Sequence, residues 1–221
     1  MHMTMEEKSL FLRYCPHILK DKAEPFPVRY IGCTAYIAAG RSASFPKWFV
    51  DPKREGAVMI LEYAIYYDYD IQHLYDLEHI WVAVDGEGNV VDCWCSFHGM
   101  RLRAACMGSF TLDRDHPVLY SQPGKHAMLP HPELFLLHPD FERACSEAAG
   151  GGLLVPGFLS DRIQTDSQTD EKVARYIRQN FSFAPTMEFV PEQIREDQLL
   201  SCEELLDKIP ELIERQLQQL G

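Results

Sequence analysis

Two adjoining stretches of the chain decide the fold, namely AVMILEYAIYY at 57–67 and LEHIWVAVDGEGNVVDCWCSFH at 77–98. The first is an almost unbroken apolar and aromatic run, which suits a strand covered on both faces. The second contains two strand-like runs, 77–84 and 90–98, separated by five residues of types that tolerate positive φ. These stretches predict a β-hairpin next to a buried strand.

The segments on either side predict further strands and, later in the chain, helices. Prolines and short aromatic runs between 14 and 50 indicate strands broken by turns, and 118–122 is another short strand. Helical patterns are found in four places, namely 1–13, 139–149, 170–180 and 202–220. Ser201-x-x-Glu204 forms a capping box that opens the last helix, and Pro210 is expected to divide that helix.

The fold class that follows is mainly β with added helices. We expect a β-sandwich core, mostly antiparallel, followed by C-terminal α-helices. The whole chain, 1–221, is predicted to be a single domain. Its core at 14–130 would carry the functional site, and helical additions at 131–221 would pack on it.

Charge and cysteine content narrow the classes of function. Lys and Arg number 21 and Asp and Glu 33, which gives a net charge of -12, so nucleic acid is not an expected partner. No run is long and apolar enough for a transmembrane segment, and the first twenty residues do not resemble an export signal. The seven cysteines lack zinc-site spacing. We therefore expect a cytoplasmic protein with free, mostly buried thiols.

Acidic and imidazole side chains are concentrated between positions 68 and 79. They are Asp68, Asp70, His73, Asp76, Glu78 and His79. In an extended segment Asp76 and Glu78 share one face, and carboxylates aimed at one point repel unless a cation or a proton lies between them. No Lys or Arg occurs between Arg54 and Arg101 to balance this acidity. A divalent-metal or catalytic site and a solvated acidic rim are equally compatible with this pattern.

Two histidines elsewhere follow strand-like runs. His98 ends the return strand of the predicted hairpin, and His126 follows a short strand and a Pro-Gly turn. Strand ends present site residues on rigid supports. Each histidine alone is more typical of a hydrogen-bonded structural residue, but together with the acidic cluster they are read as the remaining ligands of one site.

The series of motifs resembles a known protein family. The segment from His73 to His79 is similar to the His-x-x-Asp-Trp-Glu-His heptapeptide of the necrosis-inducing (Nep-like) cytolysins, and to the Asp-Trp-Glu-His segment of vacuolar-protein-sorting-associated relatives. Three further segments are similar to segments of this family and occur in the same order, namely 14–27, 96–99 and 117–127. The resemblance therefore covers about residues 14–130.

This resemblance implies a β-sandwich with a divalent cation held at one end of the sheets. The implied ligands are His73, Asp76, Glu78, His98 and His126, with either Asp68 or Asp70 as an upstream aspartate. The sequence departs from the family pattern at Leu77, which replaces a tryptophan, and it lacks an export signal and paired cysteines. The lipid-headgroup binding of the cytolysins is therefore not carried over.

Three functions remain open at this point. The leading hypothesis is a metal-binding protein that holds a divalent metal ion (Ca, Mg, Mn or Zn) and uses it to bind a small polar ligand. The alternative is a metal-dependent hydrolase in which Glu78 or His79 moves the proton. In the third, the cation only braces strand ends. The ligand, the identity of the metal and the oligomeric state are left open.

Overall fold

The computed structural model of the protein describes residues 2–105, 110–138, 141, 145 and 150–220. The strands are β1 (His17–Asp21), β2 (Tyr30–Tyr36), β3 (Gly40–Arg41), β4 (Phe49–Val50), β5 (Met59–Tyr69), β6 (His73–Val84), β7 (Val90–Phe97), β8 (Met100–Arg103), β9 (Leu112–Asp113), β10 (His116–Ser121), β11 (Met128–Leu129), β12 (Gly152–Leu153), β13 (Phe189–Pro191) and β14 (Leu199–Ser201). The helices are α1 (Met5–Arg13), α2 (Ser167–Asn180) and α3 (Cys202–Gln219), with 3-10 turns at Pro132–Leu137, Gly157–Leu159 and Glu196–Gln198. The predicted fold class is confirmed. Of the helix predicted at 139–149, only Phe141 and Cys145 are described.

The predicted hairpin and buried strand form the middle of a seven-stranded sheet. Its order is β14-β2-β5-β6-β7-β8, with β12 paired to β6. Strands β6 and β7 are antiparallel, and Asp85 N donates to Asn89 O (2.9 Å) across the turn between them. Apolar residues that tolerate burial on both faces thus place β5 and β6 at the centre of the sheet.

A second sheet packs over one face of the first. Its order is β11-β10-β1-β13, with β9 paired to β10. Ile18 of β1, Leu119 of β10 and Met128 of β11 are buried in the same apolar core as Ile80 and Val82 of β6. The largest core therefore lies between the two sheets, as a β-sandwich requires.

Strand β6 separates two environments because side chains alternate along a strand. Ile80 lies in the core between the sheets, whereas Trp81 lies in a second apolar cluster on the outer face. Asp76 and Glu78 have the same phase as Ile80, and His79 has the phase of Trp81. The alternation therefore assigns Asp76 and Glu78 to the inner face and His79 to the outer face.

The C-terminal helix runs without a break through Pro210, so the prediction that Pro210 divides it is wrong. Proline has no N–H for the carbonyl four residues earlier. That carbonyl belongs to Leu206, and Arg162 Nη1 donates to it at 3.5 Å while also pairing with Asp207 at 2.6 Å. A guanidinium from another segment thus stands in for the missing donor.

The start of this helix is tied to the sheet. The predicted capping box is confirmed, since Glu204 N donates to Ser201 Oγ (3.2 Å) and Ser201 N donates to Glu204 Oε2 (3.0 Å). Strand β14 directly precedes α3 and pairs in parallel with β2. A Cβ at Gly32 of β2 would lie 2.9 Å from Leu205 Cδ2, so the helix crosses β2 where no side chain intervenes.

The described cysteines are buried thiols, as the sequence predicts. Six described cysteines, namely Cys15, Cys33, Cys93, Cys95, Cys145 and Cys202, are buried and form no disulfide. Among the residues that the structure describes, no helix has the length and apolar character needed to cross a bilayer.

Candidate functional site

Acidic and imidazole residues from separate segments come together on the inner side of β6. The strand itself supplies His73, Asp76 and Glu78, and the turn before it supplies Asp70. The turn after β10 supplies His126, whose Nδ1 lies 3.0 Å from Asp76 Oδ2 although the two residues are 50 positions apart. We call these five residues the inner cluster.

Three residues in or beside the inner cluster hold a left-handed backbone. The φ angles are 49° at Tyr75, 48° at His98 and 58° at His126. Such a conformation costs a residue with a Cβ about 1–3 kcal/mol and is kept only where the surroundings impose it. His98 and Gly99 make the two-residue turn between β7 and β8, which needs positive φ at both positions.

His126 is completely buried at the centre of the inner cluster. Its ring stacks on Tyr67 with 3.8 Å between centroids. Burial disfavours the charged ring, but the hydrogen bond to Asp76 and the nearby charge of Glu24 outweigh it and raise the pKa of His126 to about 10. Its Nε2 lies 3.7 Å from Glu24 Oε1, too far for a hydrogen bond, and has no other partner in the described residues. One polar atom at the centre therefore has an ion-pair partner but no hydrogen bond.

The two carboxylates of β6 differ in their ionisation. Burial acts to raise the pKa of Asp76, but the hydrogen bond and charge of His126 hold it below its ordinary value. Burial, and then the charge of Asp76, raise the pKa of Glu78 well above its ordinary value, although Ser96 Oγ donates to it. The two pKa values thus shift in opposite directions, which favours the ionised form of Asp76 and the protonated form of Glu78, as expected for two acids that share one site.

Asp70 forms an ion pair with Lys125, which lies 55 residues later in the chain. Lys125 Nζ donates to Asp70 Oδ2 at 2.6 Å, and His73 Nε2 lies 3.2 Å from the same oxygen. The other ring nitrogen of His73, Nδ1, lies 2.7 Å from Tyr75 O. Both nitrogens of His73 therefore have partners within the protein.

Two predicted ligands lie apart from these contacts. The Asp68 carboxylate faces Arg29, with 3.5 Å between Oδ2 and Nε, and burial raises its pKa against the charge of Arg29. His98 Nε2 lies 2.8 Å from Gln122 Oε1, and burial lowers the pKa of His98. The structure thus brings Asp70, and not Asp68, into the inner cluster.

Sequence reasoning missed two charged members of this region. Lys125 supplies the positive charge that appeared to be lacking between Arg54 and Arg101, and Glu24 supplies another carboxylate beside His126. Lys125 directly precedes His126 in the sequence. Its position next to a predicted ligand could therefore have identified it as a charge near the site. No local pattern points to Glu24.

His79 belongs to a separate network on the outer face. Its Nδ1 lies 2.8 Å from Ser44 Oγ, which also donates to the Glu62 carboxylate. Glu62 is fully buried and accepts from five donors, namely Tyr36 Oη, Ser42 Oγ, Ala43 N, Ser44 N and Ser44 Oγ. Since the Ser44 proton is directed to Glu62, His79 Nδ1 must carry its own proton, which leaves Nε2 as an acceptor. We call these residues the outer network.

Burial lowers the pKa of His79 to about 4, so the ring is neutral at neutral pH. A cavity of about 330 Å³ lies beside it, and its walls come from the segments 44–47, 75–79 and 154–157. The side chains of Glu78 and His79, both considered as proton carriers, point to opposite faces of β6.

The inner cluster can hold charge but is not a preassembled metal site. Within the described residues, no three His, Cys, Asp or Glu side chains are arranged to hold a metal ion. The carboxylates are instead balanced by Lys125 and by the His126 imidazolium, and the raised pKa of Glu78 favours its uncharged form. A cation at this position would have to replace those contacts.

Comparison by sequence finds no relative. No protein-family model matches the chain, and no curated protein matches it.

Comparison by structure finds the group of proteins that the motifs resemble. NLPPya in complex with glucosamine has a TM-score of 0.38 and 14% identity, over 56% of this chain and 65% of that chain. NLPPya in complex with mannosamine has a TM-score of 0.37 and 15% identity, over 56% of this chain and 66% of that chain. The necrosis and ethylene inducing protein 2 from the causal agent of cocoa's witches' broom disease has a TM-score of 0.35 and 19% identity. The match covers 55% of this chain and 67% of that chain. The chain thus spans about two thirds of each solved structure, and the vacuolar-protein-sorting-associated branch finds no support.

Proposed function

We propose that the inner cluster binds a divalent cation and, through it, a small polar ligand. The observation that carries the proposal is the buried Nε2 of His126, which has no hydrogen-bond partner in the described residues and lies 3.7 Å from Glu24 Oε1. A nitrogen and an oxygen that ligate one ion are usually separated by about 3–4 Å, given metal–ligand distances near 2.0–2.6 Å. The spacing fits two ligands of one ion, and the ion would take the place of the Nε2 proton.

The donor set suits a hard or borderline ion. Carboxylate oxygens favour Ca²⁺, Mg²⁺ or Mn²⁺, and each imidazole shifts the preference toward Mn²⁺ or Zn²⁺. We propose Glu24 and His126 as the first pair of ligands, joined by Asp76 and Glu78, with Asp70 as the upstream aspartate in place of Asp68. His73 joins them when its Nε2 turns from Asp70 to the ion.

The direct test is metal binding measured by calorimetry on protein stripped with a chelator. We expect Asp76→Asn to weaken binding at least about tenfold, because a ligating charge is lost. Asp68→Asn is the matched control, since Asp68 is of the same residue type but pairs with Arg29. Absence of binding by the unmodified protein, or equal loss in both variants, contradicts the proposal.

Lys125 gives a second test with the opposite sign. Its ammonium group occupies the side of Asp70 that a metal ion would need. Lys125→Met should therefore tighten metal binding, because a like charge is removed from beside the ion. If Lys125→Met weakens binding while the protein stays folded, Lys125 supports the site rather than competing with the ion.

The ligand is tested on the metal-loaded protein. Glucosamine is the chosen probe, because the similar solved structure contains it. Binding that disappears on chelation, and in Asp76→Asn, supports recognition through the ion. Binding that is unaffected by chelation assigns the ligand to another surface and leaves the cation proposal to the calorimetric test.

A further inference from the structure

The outer face of the seven-stranded sheet contains a second depression, which shares no residue with the inner cluster or the outer network. It is a cavity of about 460 Å³ lined by Arg54, Glu55, Asp92, Trp94, Arg101 and Arg103. Three of its six lining residues are arginines. In a protein with a net charge of -12, this is an unusual concentration of positive charge.

Arg101 is held in place by aromatic rings. Its Cζ lies 3.9 Å from the centroid of Trp48 and 5.5 Å from that of Trp94. Its Nη1 is buried and has no hydrogen-bond partner among the described residues. The guanidinium is thus fixed by stacking while part of its hydrogen-bonding capacity is unused, although a buried charged donor normally finds an acceptor.

The two acids of the cavity do not cancel its positive charge. Asp92 is engaged by Arg103, whose Nε and Nη2 lie 2.7 and 2.5 Å from Asp92 Oδ2. Asp92 Oδ1 accepts from Cys93 N at 2.8 Å. The lining as a whole has three arginines against Glu55 and Asp92, which leaves an excess of one positive charge.

We propose that this cavity binds an oxyanion group, either a phosphate or a carboxylate, with Arg101 as its principal donor. A planar guanidinium offers paired N–H groups that match the oxygens of such an anion. Because stacking on Trp48 already fixes the side chain, binding loses little conformational entropy. Arg54 and Arg103 flank the anion and set the field that attracts it.

The tryptophans provide a direct signal for the test. All three tryptophans of the chain, Trp48, Trp81 and Trp94, lie in the apolar cluster beneath this cavity. Titration with inorganic phosphate or with acetate, at constant ionic strength and pH 7, is followed by intrinsic fluorescence and in parallel by calorimetry. Saturable binding of phosphate alone assigns a phosphate site, and binding of acetate alone assigns a carboxylate site.

The variants decide which residue binds the anion. Arg101→Gln should weaken binding at least about tenfold, and Arg101→Lys should restore little of it because the fork of N–H groups is lost. Arg54→Gln, at an exposed position that does not pack in the core, should weaken binding about threefold, so the test remains valid if Arg101→Gln fails to fold. Arg175→Gln, on the exposed side of α2, is the control and should bind normally. Failure of both anions to bind, or unchanged binding in Arg101→Gln and Arg54→Gln, overturns the proposal.

Discussion

The two faces of β6 show two ways of burying charge. On the outer face, the Glu62 carboxylate is surrounded by five donors and is fully hydrogen-bonded. On the inner face, Asp76 and Glu78 share one buried imidazolium, and the Nε2 atom of His126 has no hydrogen-bond partner in the described residues, only the Glu24 carboxylate at 3.7 Å. A complete network fixes one conformation, whereas an incomplete one leaves room for a ligand. Under the proposed function, the outer network is structural and the inner cluster is the part that binds.

Removing the centre of the outer network should have the largest effect on stability. Glu62→Ala leaves five donors without their acceptor in a buried site, and each unsatisfied buried donor costs about 1–3 kcal/mol. Even after relaxation we expect the free energy of unfolding in urea to fall by at least about 3 kcal/mol. Glu171→Ala, at an exposed position on α2, is the control. A loss below about 1 kcal/mol would remove the distinction between the two faces.

The inner cluster should tolerate the loss of a carboxylate better. Asp76→Asn removes the hydrogen-bonded partner of the buried imidazolium, but it also removes the charge that raises the pKa of Glu78. Glu78 can then ionise and balance His126, so we expect a loss of only about 2 kcal/mol in metal-free protein. Asp68→Asn should change the free energy of unfolding by less than about 0.5 kcal/mol. A cost for Asp76→Asn equal to that of Glu62→Ala contradicts the comparison.

The two buried histidines should give opposite dependences on pH. The pKa of His126 is raised to about 10, so the stability it contributes is fully present below about 6.5 and is lost as the pH rises toward 10. The pKa of His79 is lowered to about 4, so its neutral form stabilises the protein above about 6.5 and that stability is lost as the pH falls toward 4. Each proton contributes at most about 1.4 kcal/mol per pH unit.

Urea denaturation between pH 4 and 10 separates the two contributions. His126→Gln should flatten the alkaline side of the stability profile, and His79→Gln the acidic side. Buried tyrosines and cysteines with raised pKa values also lower stability at alkaline pH, so the difference between variant and unmodified protein is the measured quantity. If both variants flatten the same side, the assignment of charge to the two faces is wrong.

Ser96 joins the two faces, and its removal should have the smallest effect. The register between β6 and β7 extends only to the pair of Ile80 and Cys95, and beyond it Ser96 Oγ contacts both Glu78 and the His79 backbone N–H. Ser96→Ala should cost about 1 kcal/mol. A double-mutant cycle with Glu62→Ala should show additivity within about 0.5 kcal/mol if the faces are independent.

The sequence was informative where the signal is local. The hairpin was predicted because apolar runs and a turn rich in Asp, Gly and Asn occur side by side, and the capping box at Ser201 because both partners lie within three residues. Alternation along a strand also predicts that Asp76 and Glu78 share one face. Each of these follows from backbone geometry and from near neighbours.

The remainder depends on contacts between distant segments. Glu24 lies close to His126 because β1 and β10 pair in the second sheet, and Lys125 contacts Asp70 because that sheet packs on the first. No periodicity in the sequence reveals which distant charge will be close. Pro210 was misjudged for the same reason, since Arg162 compensates for it from a segment 44 residues before Leu206. Counting charges only among neighbouring residues in the sequence therefore failed to predict the charge balance of the inner cluster.

The parallel pairing of β14 with β2 has a consequence for folding order. Ile31 of β2 pairs with Leu199, and Leu19 of β1 pairs with Pro191, so each sheet gains an outer strand from residues far later in the chain. During synthesis, β1 and β2 are made long before these partners and expose unpaired backbone groups along one side. Such long-range closure slows folding and lengthens the time in which a strand can pair with another chain. The molecule should therefore be most vulnerable to aggregation while still on the ribosome, before residue 199 is available.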